Sequence, residues 1–184
     1  MKDSWPEGNP GNKVIIEELV TTTRDAYAAL WSFCLGLDLS ATIEGKKRPP
    51  DEPLRWMLVE PRRLRVTRSV DDLWSRLVDI PAALAARRYG IEGRLVLEIL
   101  DSFMPDNTGR YQLAGGPDGA ECRPTRESAD LRMDVSDLGA LYLGGPAPSL
   151  LARAGRIEEC RAKRLAHADL MFVSRPEPWC STSF

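Results

Sequence analysis

The sequence predicts an α+β fold, and two patterns along the chain indicate it. Four short stretches of alternating apolar and polar residues lie between residues 92 and 135, which is typical of strands in a sheet with a buried face. Helical patterns take over from residue 136 onward. Strands followed by helices favour a sheet with its helices packed against it, and a chain of 184 residues is long enough to bury a core.

Composition and charge exclude several classes of protein. Apolar residues make up 43% of the chain and charged residues 28%, which excludes disordered, fibrous and coiled-coil proteins. The net charge of −2 does not indicate a nucleic-acid partner. No apolar run approaches the roughly 18 residues of a membrane span, and residues 1–13 lack the apolar segment of a signal peptide. We therefore expect no membrane association and a cytoplasmic location.

The cysteines are isolated from one another along the chain. They are Cys34, Cys122, Cys160 and Cys180. No pair has the C-x-x-C spacing, and the chain has a single histidine, His167. We therefore expect reduced thiols and no metal site.

The first part of the chain predicts a strand, a helix and a second strand. Residues 1–12 have no apolar period and are expected to form a flexible leader. Residues 14–19 form a β-branched run typical of a strand. The stretch 22–25 fits a capping box, so the helix behind it should end near Gly36. Residues 42–44 predict another short strand.

A basic loop with the sequence Lys-Lys-Arg-Pro-Pro follows at residues 46–50. It has two interpretations, an anion-binding site or a solvated turn. The two prolines remove backbone donors that an anion site would use, which favours the turn. Asp51 is then expected to cap a helix that stops at Pro61.

Asp79 also has two interpretations. Residues 73–80 alternate well enough to predict a strand, and Pro81 fits the first turn of a helix that should run to Gly90. The Asp79 carboxylate either caps that helix or lies at a strand end, facing a cleft.

The second half of the chain predicts four strands and three helices. The strands are expected near residues 95–100, 109–113, 120–123 and 131–135. Ser136 and Ser149 are expected to cap two short helices that stop at Gly144 and Gly155. A last helix should reach Phe172.

The C-terminal tail, residues 174–184, is irregular but contains two prolines and two large aromatic residues. Trp179 and Phe184 would each bury over about 150 Å² if the tail docked. A docked Phe184 ring would also fix the α-carboxylate of the same residue, a weak base when free in water. The tail is therefore either a carboxylate that assists proton transfer or an ordinary frayed terminus.

Four blocks of sequence belong together. They are DLWSRLVDIPAAL at residues 72–84, GRLVLE at 93–98, DVSDLGALYLGG at 134–145, and an ending that runs from ADLMF at 168–172 through PWC at 178–180 to Phe184. Together they resemble the enhanced intracellular survival family of GCN5-related N-acetyltransferases. That family acetylates amines, including aminoglycoside antibiotics.

The resemblance implies an architecture. Family members carry a catalytic acetyltransferase domain, then a second acetyltransferase-like domain, then a sterol-carrier-like α+β domain, and they assemble as hexamers. Residues 13–90 resemble the back half of the second domain. Residues 91–184 resemble the sterol-carrier-like domain with its docked tail. The chain is thereby identified as the C-terminal half of an amine N-acetyltransferase, which we expect to be inactive alone.

The resemblance also implies the site residues and the cofactor. In the family, acetyl-CoA binds the first domain through an R/Q-x-x-G-x-G/A loop that this chain lacks, so acetyl-CoA is implied for the full-length enzyme only. The family's base, the C-terminal carboxylate, matches Phe184. Asp79 resembles the acidic residue that faces a polycationic, amine-bearing substrate, and Ser183 stands where an acidic residue can precede the terminal Phe.

Two other functions stay open. The chain could be a stand-alone binding module in which apolar strand faces of residues 91–143 enclose an apolar ligand. It could also be a structural partner that binds separate acetyltransferase subunits or copies of itself.

Overall fold

The computed structural model describes residues 11–71 and 73–182. The chain divides into two compact units. The first unit comprises the described residues up to 71 together with residues 179–182, and the second unit comprises Leu73–Pro178.

Both units mix helices and strands, which confirms the predicted α+β class. The first unit contains β1 (Asn12–Ile16), α1 (Arg24–Leu35), β2 (Ser40–Gly45) and α2 (Leu54–Met57). The second unit contains α3 (Ile80–Ala85), β3 (Gly93–Leu100), β4 (Gly109–Gly116), β5 (Gly119–Pro124), β6 (Leu131–Asp134), α4 (Val135–Tyr142), α5 (Pro148–Arg153), β7 (Ile157–Glu159) and α6 (Arg164–Phe172). Single 3₁₀ turns lie at Pro61–Arg63 and Pro105–Asn107.

The first unit is built on a parallel pair of strands, β1 and β2, with α1 as the crossover between them. The Thr23 side chain caps α1 by accepting a hydrogen bond from the N–H of Ala26, and the helix ends at Gly36, as predicted. Trp31 on this helix packs with Leu19 and Leu54 in a small buried cluster.

The second unit is built on a five-stranded sheet with the strand order β5-β4-β3-β6-β7. The central strand β3 is antiparallel to β4 and parallel to β6. Leu95, Val96 and Leu97 are each at most 1% exposed, so both faces of β3 are covered. The core of the unit therefore lies on this strand.

Glycines end two of the helices in the second unit, as predicted. Gly144 follows α4 with φ of +83°, and Gly155 follows α5 with φ of +73°. A Cβ at Gly144 would lie 2.7 Å from the carbonyl oxygen of Phe172 and 2.7 Å from Ser174 Cβ. A Cβ at Gly155 would have no atom within 4 Å. Of these two glycines, therefore, only Gly144 is required by a close approach of the backbone.

The predicted strand over residues 73–80 is wrong. Residues 73–77 lie outside any helix or strand, and α3 begins at Ile80. Alternation specifies one apolar face, but a strand also needs a neighbour for its N–H and C=O groups, and none of the described strands pairs with this segment. Leu73 and Trp74 are consequently exposed, whereas Leu77 is buried.

Other element boundaries also differ from the prediction, and one strand was not predicted. Strand β1 spans Asn12–Ile16 instead of residues 14–19 and so includes the last residue of the predicted leader, and α2 ends at Met57 instead of reaching Pro61. Helix α3 ends at Ala85, before the predicted stop at Gly90, because the N–H of Tyr89 donates to the carbonyl of Gly116 on β4. The three-residue strand β7 was not predicted, since Ile157 is its one buried residue and gives no alternating pattern.

The three predicted caps Asp51, Ser136 and Ser149 are wrong. The N-cap residues are instead Pro53, Asp134 and Ala147. Strand β6 runs directly into α4, so the carboxylate at its last residue accepts the N–H of Ser136 at 2.8 Å. The N–H of Ser149 donates to the Asp169 carboxylate on α6 instead. In both cases a carboxylate from outside the helix takes the place that the serine hydroxyl was expected to fill.

Residues 1–10 of the predicted leader lie outside the described residues, and the domain boundary after residue 90 stays a prediction. Among the described residues, no helix is both long enough and apolar enough to cross a bilayer.

Replacing Gly144 by alanine should lower the free energy of unfolding by about 3 kcal/mol, since the variant combines a left-handed residue with a backbone clash. The matched variant Gly155→Ala carries only the conformational cost, about 1 kcal/mol. Urea unfolding followed by circular dichroism measures both. Equal losses in the two variants would contradict the close approach at Gly144.

Candidate functional site

Of the predicted site residues, Asp79 is the one that the structure describes. It occupies the N-cap of α3, and its carboxylate accepts a hydrogen bond from the N–H of Ala82 at 2.9 Å. Pro81 lies in the first turn, where its missing N–H costs nothing. The capping interpretation is therefore confirmed, and the substrate-facing role of Asp79 stays a prediction.

The charge of Asp79 also reaches the neighbouring sheet. Burial raises the pKa of the Cys122 thiol on β5 to about 11, and the negative charge of Asp79 adds to that shift. Asp79 therefore lies close enough to β5 for its charge to be felt there. The two other predicted site residues, Ser183 and Phe184, lie outside the described residues.

The described part of the tail that precedes them packs within the first unit through Trp179. The guanidinium carbon of Arg48 lies 6.0 Å from the centroid of the Trp179 ring. The same guanidinium lies 5.8 Å from the ring centroid of Trp31. We call these three residues the tail anchor. Contacts of this length between a cation and an indole ring are attractive.

Two hydrogen bonds hold the Arg48 side chain in place. Its Nε donates to the Glu52 carboxylate at 2.7 Å, and its Nη1 donates to the carbonyl of Leu19 at 2.8 Å. The side chains of Arg48 and Glu52 are only 15% and 12% exposed. Burial lowers the pKa of Arg48 and raises the pKa of Glu52, so each charge depends on the other for compensation.

Gly45 leaves room for this arrangement. A Cβ at Gly45, the last residue of β2, would lie 3.2 Å from Trp31 Cη2 and 3.3 Å from Arg48 Cγ. Trp31 is 5% exposed, and its indole nitrogen has no hydrogen-bond partner among the described residues. An unpaired buried donor costs about 1–3 kcal/mol, so the indole N–H of Trp31 destabilises this cluster unless it is paired.

The basic loop is engaged in these contacts. Lys46 pairs with Glu17 at 2.7 Å, and Arg48 pairs with Glu52. Carboxylates of the first unit therefore neutralise both residues. These ion pairs favour the interpretation of residues 46–50 as a turn over their interpretation as an anion-binding site. The loop also contributes Arg48 to the contact with Trp179, which its sequence did not indicate.

The second unit carries a depression of about 660 Å³ that is bordered by the aromatic residues Tyr89 and Tyr142. Arg87 lies in its wall and donates to the carbonyls of Tyr142 and Phe172, at the C-terminal ends of α4 and α6. A cation is favourable at those helix ends. Burial lowers the pKa of Arg87. Arg87 thus places a partly buried cation in the wall of a depression that is also lined by aromatic and aliphatic side chains.

Among the described residues of the first unit, the N-terminus of α1 is not free to hold the diphosphate of acetyl-CoA. A diphosphate is held by free N–H groups at a helix N-terminus, but Thr23 already accepts one such N–H of α1, and Asp25 places a negative charge in its first turn. For metals, the described residues contain no group of three or more His, Cys, Asp or Glu side chains that would hold an ion.

Two family models match the chain. The model described as a sterol carrier protein domain matches residues 80–181, a stretch longer than half of the chain. The chain belongs to this family. The sterol carrier protein domain is preceded by a match to the model described as an acetyltransferase (GNAT) domain, over residues 2–87.

Proteins of known sequence match nearly all of the chain. An uncharacterised N-acetyltransferase of Streptomyces coelicolor is 40% identical over 184 residues, which is 100% of this chain and 44% of that protein. The N-acetyltransferase Eis of Mycobacterium tuberculosis is 39% identical over 162 residues, covering 86% of this chain and 39% of that protein. The chain thus spans well under half the length of these relatives.

Solved structures agree with the fold. The crystal structure of Eis1 from Mycobacterium abscessus matches with a TM-score of 0.85 and 34% identity, over 98% of this chain and 45% of that one. A GCN5-related N-acetyltransferase from Kribbella flavida matches with a TM-score of 0.67 and 26% identity, over 99% of this chain and 46% of that one.

The sequence indicated Arg48 and Trp179 as notable residues, but it did not indicate the contact between them. It indicated that Trp179 would bury a large area if the tail docked, and it placed Arg48 in the basic loop. The two residues are 131 positions apart (179 minus 48), and no local signal joins them.

Asp79→Ala should lower the free energy of unfolding of the chain by about 1 kcal/mol, because it removes the cap of α3. Asp79→Asn keeps an accepting oxygen and should change the unfolding free energy by only a few tenths of a kcal/mol. Urea unfolding of the two variants measures this difference. An alanine variant as stable as the asparagine variant would show that the cap contributes nothing.

Proposed function

We propose that this chain is the C-terminal half of an amine N-acetyltransferase and that it is inactive alone. The observation that carries the proposal is the agreement between the order of the two matching domains and the lengths of the relatives. An acetyltransferase match precedes a sterol carrier protein domain, and relatives named N-acetyltransferase match nearly the whole chain while being more than twice as long.

The first unit supports the proposal because its sheet is incomplete. Strands β1 and β2 form a parallel pair without a third strand among the described residues. Parallel sheets are normally covered on both faces, and two strands alone are marginally stable. The side chains of Trp56 and Val66 are 82% and 75% exposed. Such an apolar surface indicates that another part of the protein packs here.

The residues of this chain determine which parts of the reaction we assign to it and which we assign to another domain. Among the described residues, the N-terminus of α1 is already capped, so in our proposal acetyl-CoA binds a preceding catalytic domain. In our proposal the chain supplies the α-carboxylate of Phe184 as the base that accepts a proton from the attacking amine, directly or through a water molecule. Asp79 and Ser183 face the substrate, an amine-bearing small molecule of the aminoglycoside or polyamine type. Full-length chains assemble as homo-oligomers.

Adding two residues after Phe184 in the full-length protein should lower amine acetylation at least about 100-fold, since a general base contributes at least that much. The KM for acetyl-CoA should not change, because the carboxylate does not bind the cofactor. The same two residues added before the first residue serve as the matched control. Undiminished turnover in the C-terminally extended protein would contradict the proposal.

Isothermal titration of the present chain with acetyl-CoA should give no saturable heat, because the N-terminus of α1 is already capped and carries Asp25. The full-length protein, titrated under the same conditions, should bind one equivalent per chain. Saturable binding to the present chain would contradict the assignment of the acetyl-CoA site to another domain.

A further inference from the structure

We propose that Arg48 is a positioning residue for the tail: its guanidinium, fixed by Glu52, holds Trp179 and thereby restricts where the chain end five residues later can lie. The inference rests on the proposed role of the Phe184 carboxylate. It assigns to the basic loop and to the Pro-Trp-Cys sequence a joint role that neither has separately.

Arg48 is suited to this role because it is fixed before the tail arrives. Its hydrogen bonds to Glu52 and to the carbonyl of Leu19 do not involve the tail. Its side chain is largely buried. The guanidinium therefore loses little conformational freedom when the Trp179 ring packs on it, which favours the contact.

The anchor sets the point from which the chain end extends. Five residues reach at most about 17 Å, at about 3.4 Å per residue. Immediately upstream, Pro178 lies beside Gly145, with its Cγ 3.8 Å from where a Cβ of Gly145 would lie. The contact with Arg48 adds a hold on the next side chain, that of Trp179.

Trp179 is the better residue to replace, since its ring is 41% exposed and its removal opens no core. Replacing Arg48 alone would leave the buried Glu52 carboxylate without its partner, which destabilises the unit itself. The test therefore uses Trp179→Leu, with Trp179→Phe as the conservative variant that keeps an aromatic ring.

The four cysteines report on the tail and on both units in one experiment. Cys180 adjoins Trp179 in the tail, Cys34 packs against the buried cluster of the first unit, and Cys122 packs against the core of the second. Cys160 is exposed in the second unit. Alkylation of each thiol, followed by peptide mass spectrometry and normalised to its own rate in the unchanged chain, separates release of the tail from unfolding.

In Trp179→Leu, alkylation of Cys180 should accelerate about two- to fivefold, the range of one exposed cation–π contact, while the other three thiols keep their rates. Trp179→Phe should stay within about twofold of the unchanged chain. An unchanged Cys180 rate in Trp179→Leu would overturn the inference. Acceleration at Cys34 as well would also overturn it, because the contact would then stabilise the unit rather than hold the tail.

In the full-length protein, Trp179→Leu should lower kcat for amine acetylation about two- to fivefold, the range of one exposed cation–π contact, without changing the KM for acetyl-CoA. Trp179→Phe should restore kcat. Phe103→Leu is the matched control, because it removes a comparable contact with Arg76 at 5.1 Å that does not involve the tail. An unchanged kcat in Trp179→Leu would contradict the positioning role.

The two proposals fail differently. If a C-terminal extension abolishes turnover but Cys180 is insensitive to Trp179→Leu, the carboxylate acts as base and the anchor inference alone is wrong. If Cys180 responds but the extension leaves turnover intact, the anchor exists and the proposed role of Phe184 is wrong.

Discussion

The pairing of Arg48 with Glu52 is the interaction on which the position of the tail depends. Neither charge is stable in this partly buried place without the other, and together they present a fixed cationic face to Trp179. Gly45 leaves space beside the Arg48 side chain, and Trp31 places a second aromatic ring near its guanidinium. The loop therefore uses its charge within the chain rather than to recruit an external anion.

In the second unit, Arg87 resembles Arg48 in being held by hydrogen bonds beside an aromatic ring. Arg87 donates to the carbonyls that end α4 and α6, and its guanidinium lies 5.0 Å from the Phe172 ring centroid. The close approach at Gly144 brings Ser174 against the end of α4. These contacts join the ends of α4 and α6 and residue 174 to the edge of the core of the second unit.

Local sequence signals predicted most of the fold. The Thr23 cap, the stop at Gly144 and the alternation in β3 each specify structure within a few residues, and they agree with the observed elements. The wrong strand at 73–80 and the wrong cap at Ser149 share one cause. Each depends on a distant partner, an adjacent strand in the first case and Asp169 in the second, which local patterns do not encode. The contact between Arg48 and Trp179 escaped prediction for the same reason.

The central claim is that a main-chain carboxylate at Phe184 takes a proton from the substrate amine. Semisynthesis of the full-length protein with a C-terminal carboxamide replaces one carboxylate oxygen by an NH₂ group and changes nothing else, so the tail and its anchor are preserved. Steady-state acetylation of an amine substrate by the two forms is the most direct measurement. The account predicts that the carboxamide form loses at least about 100-fold in kcat. Equal kcat values in the two forms would contradict it.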